Sequence, residues 1–423
     1  MGRLEGKMFD RDNWQEIYAT IKKNKLRTFL TSLGVGWGIF MLVIMLGAGN
    51  GLKNGVMNDF KGTATNSFFM WTQKTTKPYK GMKPGRYYNF NNGDVIALNQ
   101  LKELSVVSPQ NQLGGWRGGN SVMRGLKTGN YEVGGVYPNI AKVSAVKITS
   151  GRFLNENDIR EKRKVCVIGS RVREELFKAN ENPLSQYIRI NGVYFKVIGT
   201  TVPMSNGGEA RQEAQRIVVP FTTFQNAFNY GDVVGWLAIS SAPSIAASQA
   251  QEKVMAIIKE RHKIAPEDMQ AIGSWNMEEQ FNKMNGLFIG INMLVWFVGI
   301  GTLIAGVIGI SNIMLIIVKE RTKEIGVKRA LGATPFSVTS QIILESVFLT
   351  SLAGYFGLVI GIFLLEAVNK AIGAEVPMFN NPTVDINVAI VSLSVLVVCG
   401  ALAGLIPARR AVSVHPVEAL RAE

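Results

Sequence analysis

The stretch KERTKEIGVKRALGATP, from Lys319 to Pro335, lies between two long apolar segments. Five of its seventeen residues are Lys or Arg, while residues 284–318, directly before it, carry no charge. Basic residues accumulate in the cytoplasmic loops that join membrane-spanning helices. The stretch therefore predicts a cytoplasmic loop of a membrane protein, and the rest of the chain can be ordered around it.

Four uncharged runs, residues 28–52, 284–318, 346–365 and 386–408, each contain at least twenty residues. A helix that crosses the hydrocarbon core of a bilayer needs about twenty apolar residues. The sequence thus predicts a polytopic α-helical membrane protein with four transmembrane helices. The predicted segments are transmembrane helix 1 at 28–52, a stalk and transmembrane helix 2 at 284–318, helix 3 at 336–370 and helix 4 at 386–408.

The distribution of Lys and Arg predicts the orientation of these helices. Residues 1–27 contain seven Lys or Arg and residues 409–423 contain three, whereas residues 371–385 contain none. By the positive-inside rule, both termini and the loop 319–335 are cytoplasmic. Residues 53–283 and the short connection 371–385 are then extracytoplasmic.

The first 27 residues include an amphipathic pattern. From Asp12 to Arg27, apolar side chains recur at the helical spacing, and four basic residues lie near the end of the segment. This pattern predicts a cytoplasmic amphipathic helix at the surface of the membrane lipid. The alternative is a plain continuation of transmembrane helix 1.

The large segment 53–283 predicts a mixed α+β domain inserted between helices 1 and 2. Tyr187–Thr200 has two alternating runs around Asn191-Gly192, a pair favoured in two-residue hairpin turns. Lys164–Phe177 predicts a strand, a glycine turn and a helix, and Ile245–Lys263 predicts a helix. The stretch Asn111–Asn130 is rich in Gly and Asn, which predicts a loop.

Several classes of activity are disfavoured by the composition. The net charge is +15, but the basic residues lie at the ends of apolar runs instead of on one folded module, so nucleic acid is not an expected partner. No P-loop spacing is present, and the two histidines, His262 and His415, fall on opposite predicted sides of the membrane. We expect no catalytic, cofactor-binding or metal-binding residues, and no enzymatic activity of the chain by itself.

Glu345 is an ionisable residue about ten residues into the third apolar segment. Such residues are candidates for proton or ion pathways. Glu345 could act as a proton carrier, or it could be a carboxylate near the cytoplasmic interface that faces neighbouring helices. The sequence leaves both interpretations open.

The stretch 319–347, KERTKEIGVKRALGATPFSVTSQIILESV, resembles the cytoplasmic loop of the MacB/FtsX-type ABC transporter permeases, the type VII or mechanotransmission class. The pattern of that loop is roughly E-R-x-x-E-I-G-x-x-R-A-L-G-A. Asn24–Phe40, Gly151–Phe177 and Pro407–Glu423 also resemble segments of that family. The loop residues that match are Glu320, Arg321, Glu324, Ile325, Gly326, Arg329, Ala330, Leu331, Gly332 and Ala333.

The resemblance implies a dimer of permeases in the bacterial cytoplasmic (inner) membrane, each with an outside domain of two subdomains. It also implies that the loop docks on an ABC ATPase that binds ATP and Mg. From the residues alone, Gly332 predicts a helix stop, Thr334-Pro335 predicts an N-cap, and Ile325 and Leu331 could present a small apolar knob flanked by Lys328 and Arg329. Such a knob would suit a cytoplasmic partner, and the alternative is a basic topology determinant with no partner. Because about 27 residues precede the first span, we expect the ATPase to be a separate polypeptide. The expected coupling residues are Glu320, Arg321, Glu324, Ile325, Gly326, Lys328, Arg329, Ala330, Leu331 and Gly332.

Two pairs of glycines at four-residue spacing, Gly357 with Gly361 and Gly400 with Gly404, are expected to allow close helix packing. Each pair could pack within the chain or at the interface with a second protomer, in a homodimer or a heterodimer.

Three functions are compatible with this organisation. The first is export of an amphiphile, a peptide, a macrolide-like compound or a lipoprotein from the outer face of the membrane, with a periplasmic adaptor and an outer-membrane channel as further candidate partners. The second is a non-transport machine that activates a cell-wall hydrolase or a sensor kinase. The third is a proton-coupled carrier that uses Glu345.

Overall fold

The structure is a computed structural model that describes residues 25–58, 60–114, 120–204, 208–372, 382 and 386–413. The chain divides into two compact units, Met1–Gly55 with Leu287–Glu423, and Val56–Gly286. Most of the amphipathic segment 12–27, most of the connection 371–385 and the last ten residues lie outside the described part.

The described elements are numbered in chain order. The helices are α1 (Lys25–Asn58), α2 (Asn92–Leu98), α3 (Glu156–Arg160), α4 (Ser170–Leu176), α5 (Gly208–Ala214), α6 (Phe221–Ala227), α7 (Ala247–Arg261), α8 (Met277–Glu320), α9 (Thr322–Ala330), α10 (Pro335–Ile372) and α11 (Ile386–Ser413). The strands are β1 (Ser67–Thr72), β2 (Phe90–Asn91), β3 (Leu104–Gln112), β4 (Asn120–Arg124), β5 (Lys127–Val136), β6 (Lys147–Gly151), β7 (Val165–Gly169), β8 (Tyr187–Ile190), β9 (Val193–Val202), β10 (Arg216–Pro220), β11 (Val233–Val234), β12 (Trp236–Ser241) and β13 (Ile272–Asn276).

Among the described residues of the unit that contains both chain ends, four helices, α1, α8, α10 and α11, are long and apolar enough to cross a membrane. Buried side chains from all four, including Ile39, Leu303, Ile342 and Ala403, form one core. Apolar side chains also cover the outer surface, and Phe297 of α8 is 78 % exposed. Helices that are apolar on both sides suit a lipid surrounding. The prediction of four membrane helices with a large domain between the first two is confirmed.

The unit Val56–Gly286 is built on an eleven-stranded mixed sheet in the order β10-β7-β9-β8-β4-β5-β3-β12-β1-β13, with β6 beside β9. A further parallel pairing of β10 with β5 closes the first six strands into a ring. One core, with Phe195 and Ile217, belongs to these strands and to α4 and α6. A second core, with Phe68 and Leu237, joins β1, β3, β12 and β13 to α2 and α7.

Three local predictions for this unit are confirmed. The hairpin of β8 and β9 turns at Asn191 and Gly192, with φ angles of +42° and +91°, as a type I′ turn requires. The strand and helix of Lys164–Phe177 are β7 and α4, and α7 lies within Ile245–Lys263.

The prediction of a loop at Asn111–Asn130 is wrong for its described part, because β3 extends to Gln112 and the hairpin of β4 and β5 begins at Asn120. Among the described glycines of this stretch, Gly114 and Gly125, with φ +77° and +58°, are turn residues. Gly129 and Gly135 lie within β5, where a Cβ would collide with the rings of Tyr131 and Phe224 respectively. Glycine here therefore permits close packing instead of chain reversal.

A buried carboxylate connects α2 with the end of α7. Asp94 is completely buried, and the Asn91 N–H donates to its Oδ2 at 2.9 Å in a capping box. Arg261 Nε donates to Oδ1 at 2.6 Å, and His262 Nε2 donates to Oδ2 at 2.7 Å. Burial acts to raise the pKa of Asp94, but these hydrogen bonds outweigh it and hold the pKa below the usual value.

Candidate coupling site

The loop that follows α8 begins with a break at Arg321. This residue has φ −99° and ψ 14°, yet its N–H still donates to the carbonyl oxygen of Ile317 at 3.0 Å. The N–H of Ile325 donates in turn to the carbonyl oxygen of Arg321 at 3.0 Å. The helical hydrogen bonds thus continue through the break, so the connection between α8 and α9 is tight.

The other end of α9 is a glycine stop of the Schellman type. Gly332 has φ +103°, and the N–H of Ala333 donates to the carbonyl oxygen of Lys328 at 3.0 Å. The Thr334 hydroxyl then accepts the N–H of Ser337 at 3.2 Å and caps α10. The predicted glycine stop and threonine cap are confirmed, and they turn the chain back into the membrane unit.

One side of α9 faces the core of the membrane unit. Gly326 is buried, and Ile325 packs on the buried cluster of the four long helices. The prediction of Ile325 in an exposed knob is therefore wrong. The reason is the helical period, since residues 325 and 331 are six positions apart and lie on different sides of a helix.

The opposite side of the loop presents apolar side chains to the surroundings. Leu331 is 84 % exposed, Val327 is 43 % exposed and Phe336, at the start of α10, is 77 % exposed. We call these three residues the apolar patch. The sequence interpretation missed Val327 and Phe336, although Val327 precedes Leu331 by four residues and so shares its helix face.

Arg321 lies close to two carboxylates, one in α9 and one in α10. Its Nε lies 2.9 Å from Oε2 of Glu324 in α9, and its Nη1 lies 3.7 Å from Oε2 of Glu345 in α10. The Glu345 side chain is 4 % exposed, and both residues line a cavity of about 30 Å³. The buried carboxylate thus lies beside a cation of the loop, which favours the interpretation of Glu345 as a residue that faces its helix neighbours.

Arg329 connects α9 to the last helix. Its Nη1 donates to the carbonyl oxygen of Val412, near the end of α11, at 2.6 Å. The carbonyl groups of the last helical turn have no partner within the helix and carry partial negative charge, so a guanidinium satisfies them well. The Arg329 side chain therefore contacts α11 of the same unit, and it lies beside the apolar patch.

The other expected coupling residues take different positions. Glu320 ends α8 and is exposed, Ala330 is exposed on α9, and Lys328 is half-buried at the cavity of Glu345. The loop thus divides into an inner half, with Arg321, Ile325, Gly326, Lys328 and Arg329, and an outer half, with Glu320, Glu324, Val327, Ala330 and Leu331.

Both glycine pairs allow helix contacts within the chain. A Cβ on Gly357 would meet the carbonyl oxygen of Gly36 in α1, and a Cβ on Gly361 would lie 2.8 Å from Cγ1 of Val43. A Cβ on Gly400 in α11 would lie 2.9 Å from Cα of Val347 in α10. A Cβ on Gly404 would meet Ser346, also in α10. Each pair therefore packs α10 closely against a neighbour of the same protomer.

Within the described ranges, no group of three or more His, Cys, Asp and Glu side chains could hold a metal ion. The two cysteines, Cys166 and Cys399, are free thiols.

Comparison with protein families agrees with this architecture. The MacB-like periplasmic core domain matches residues 28–257, and the FtsX-like permease C-terminal domain matches residues 296–416. The chain belongs to the MacB/FtsX-type permease family. The loop, α9 and the cavity beside Glu345 all fall within the FtsX-like domain.

Curated relatives of this permease are export proteins with an ATP-binding part. It is 28% identical over 411 residues to the macrolide export ATP-binding/permease protein MacB of Bdellovibrio bacteriovorus, covering 96% of this chain and 61% of the relative. It is 27% identical over 425 residues to the pyoverdine export ATP-binding/permease protein PvdT of Pseudomonas entomophila, covering 100% of this chain and 61% of the relative. The chain thus spans about three fifths of the length of these relatives.

Two solved structures are similar to parts of this permease. The periplasmic region of MacB from Actinobacillus actinomycetemcomitans aligns with 54% of this chain and 96% of its own, at 18% identity and a TM-score of 0.43. The extracellular domain of the ABC-type transporter YknZ from Gram-positive bacteria aligns with 50% of this chain and 100% of its own, at 14% identity and a TM-score of 0.41.

Proposed function

We propose that this permease couples ATP hydrolysis by an ABC ATPase subunit to movement of its extracytoplasmic domain. The movement exports an amphiphile, a peptide, a macrolide-like compound or a lipoprotein from the outer face of the cytoplasmic membrane. The proposal includes cytoplasmic termini, a second permease protomer, and ATP and Mg bound by the ATPase. The proposal of export is supported by the relatives MacB and PvdT, which are export proteins.

The observation that carries the proposal is the exposed apolar patch on a loop with a defined shape. Leu331 is 84 % exposed on a short helix fixed at both ends, although a leucine in a loop outside lipid gains free energy when a partner covers it. Charged side chains, including Lys323 and Glu324, surround the patch. An apolar centre with a charged rim is the usual composition of a protein interface.

The continuous helix α8 provides a path for the motion. It runs from Met277 to Glu320 without interruption, which is about 66 Å at the helical rise, more than the thickness of a hydrocarbon core. In our proposal a displacement of α9, imposed by the ATPase, passes through the tight connection at Arg321 into α8. From α8 it reaches β13, which ends at Asn276 directly before the helix.

The experiment is purification of the tagged permease from its native membrane in mild detergent, followed by mass spectrometry of the proteins that co-purify. Leu331→Ser removes the centre of the patch. Leu126→Ser is a matched control, because Leu126 is equally a fully exposed leucine, 105 % exposed, in the turn between β4 and β5 of the other unit.

We expect an ABC ATPase in about equal amount with the wild type and with Leu126→Ser, and its loss with Leu331→Ser. An adaptor among the co-purified proteins would support export, and a cell-wall hydrolase or a sensor kinase would support the non-transport function instead. Retention of the ATPase by Leu331→Ser, or no ATPase with the wild type, would contradict the proposal.

A further inference from the structure

The extracytoplasmic unit contains a cavity of about 400 Å³ that the coupling mechanism does not use. Its wall on one side is α2, with Val95, Ile96 and Asn99, and its floor is β3, with Val107 and Pro109. The other side is formed by Tyr137 and Asn139, around the start of the short 3₁₀ helix Pro138–Lys142, and by Glu156 of α3. The volume is in the range of pockets that hold small organic molecules.

The buried part of the cavity lining is apolar. Val95, Val107 and Pro109 are all buried in the domain, and Ile96 is 65 % exposed at the rim. The ring of Tyr137 is fixed from behind by a tilted contact with Phe221, at 5.5 Å between ring centroids. An apolar body of a ligand would therefore find a surface of fixed shape.

The charge of the cavity lining is negative. Glu156 is the one charged side chain among its lining residues, and it is exposed with no ion pair to another described residue. The Oδ1 atom of Asn139 is buried and accepts no hydrogen bond from any residue that the structure describes, while Nδ2 of the same amide donates to the carbonyl oxygen of Val107 at 3.0 Å. The negative charge of Glu156 therefore favours a cationic ligand in the cavity.

Tyr137 adds a neutral hydroxyl and an aromatic face. Burial raises the pKa of Tyr137, and the nearby Glu156 carboxylate raises it further, so the phenol stays protonated at neutral pH. An ammonium group between Tyr137 and Glu156 would be attracted by both the ring and the carboxylate.

We propose that this cavity binds a small organic amine with an apolar body, with the ammonium group at Glu156 and Tyr137 and the apolar part on Val95, Val107 and Pro109. The interpretation of this cavity as the substrate site of an exporter rests on the proposed function. Binding itself requires neither ATP nor the ATPase, so the two claims can fail separately.

The test uses the full permease in lipid nanodiscs without an ATPase. The probes are tryptamine and tryptophol, which share the indole body and differ in an ammonium or a hydroxyl group at the end of the chain. Binding is measured by saturation-transfer NMR and titration calorimetry. We expect tryptamine to bind about tenfold more tightly than tryptophol, the value of a hydrogen bond to a charged group.

Two variants locate the binding. Glu156→Gln removes the charge at the cavity and should weaken tryptamine binding about tenfold while leaving tryptophol unchanged. Glu252→Gln removes an exposed carboxylate of α7 that does not line the cavity, and it should bind both probes as the wild type does. Ile96→Lys places a cation at the rim and should abolish tryptamine binding, whereas Ile96→Gln should retain it.

The proposal is overturned if the wild type does not bind tryptamine, if tryptamine and tryptophol bind equally, or if Glu156→Gln binds tryptamine as tightly as Glu252→Gln does. If tryptamine binds as expected but does not change ATP hydrolysis by the assembled transporter, the binding site stands and the export function loses support.

Discussion

Nη1 of Arg321 lies 3.7 Å from Oε2 of Glu345, so a residue of the loop and a carboxylate buried within α10 form an ion pair. Removing a charge from water is costly unless an opposite charge is close, and removing one partner of such a pair leaves the other uncompensated. The pair thus fixes the start of α9 to the third membrane helix. It also explains the presence of Glu345 without a role in proton transport.

Glu345→Gln and Arg321→Gln should each destabilise the permease by about 1–3 kcal/mol, and the double variant should cost less than the sum of the two. The measurement is thermal unfolding of the four proteins in nanodiscs. Glu366→Gln is the control, since Glu366 pairs with Lys370 on the surface of α10 at 61 % exposure and should change little. Strictly additive losses would show that the two charges do not interact.

Arg329 and Leu331 should have separable effects although they are two residues apart. Arg329→Ala removes the hydrogen bond to the carbonyl oxygen of Val412 and should increase hydrogen–deuterium exchange in α9. Leu331→Ser removes an exposed side chain and should leave that exchange unchanged while ATPase binding is lost. If Arg329→Ala exchanged as slowly as the wild type, the contact with α11 would not stabilise the loop.

The close contact between α10 and α1 should not tolerate a methyl group. Gly357→Ala places a Cβ against the carbonyl oxygen of Gly36, which we expect to cost about 1–3 kcal/mol and to lower the melting temperature. Gly309→Ala in α8 meets nothing within 4 Å and should be neutral or slightly stabilising. Equal melting temperatures for the two variants would argue against this packing.

The Asp94 network should make the unit Val56–Gly286 sensitive to acid. Because hydrogen bonds hold the pKa of Asp94 below its value in the unfolded chain, the unfolded state binds this proton first as the pH falls. Its stabilisation is complete above the unfolded pKa of about 4, and it is lost as the pH falls from there through the folded pKa.

Asp94→Asn should therefore destabilise the unit by about 2 kcal/mol at pH 7. The variant should also lose less stability than the wild type as the pH falls below about 4. The measurement is urea unfolding, with the unfolding of α7 as the signal. Glu252→Gln, an exposed carboxylate change on α7, provides the control. If the loss of stability below about pH 4 were the same in Asp94→Asn as in the wild type, the Asp94 network would not be the cause of the acid sensitivity.

Features encoded in neighbouring residues could be predicted from the sequence. The four long helices follow from uncharged runs, the hairpin of β8 and β9 from Asn191-Gly192, and the ends of the loop from Gly332 and Thr334. Each depends on the conformational preferences of a few neighbouring residues or on the thickness of a bilayer. Such signals do not require knowledge of distant contacts.

Features that depend on distant residues could not be predicted. Gly135 is required by the ring of Phe224, almost ninety positions away, and no residue near Gly135 in the sequence indicates that contact. The ring of strands depends on β10 pairing with β5, and the sequence contains no local sign of that contact. The predicted position of Ile325 was wrong because the sequence of the loop does not say which side of its helix packs on the rest of the protein.

The most direct measurement of the central claim is photo-cross-linking at the apolar patch in cells. A benzophenone amino acid replaces Leu331 in one protein and Leu126 in another, and cross-linked products are identified by mass spectrometry. We predict a product with an ABC ATPase at Leu331 and none at Leu126. If the probe at Leu331 gives no ATPase product while the permease is correctly inserted, the loop is not the site at which ATP hydrolysis is coupled.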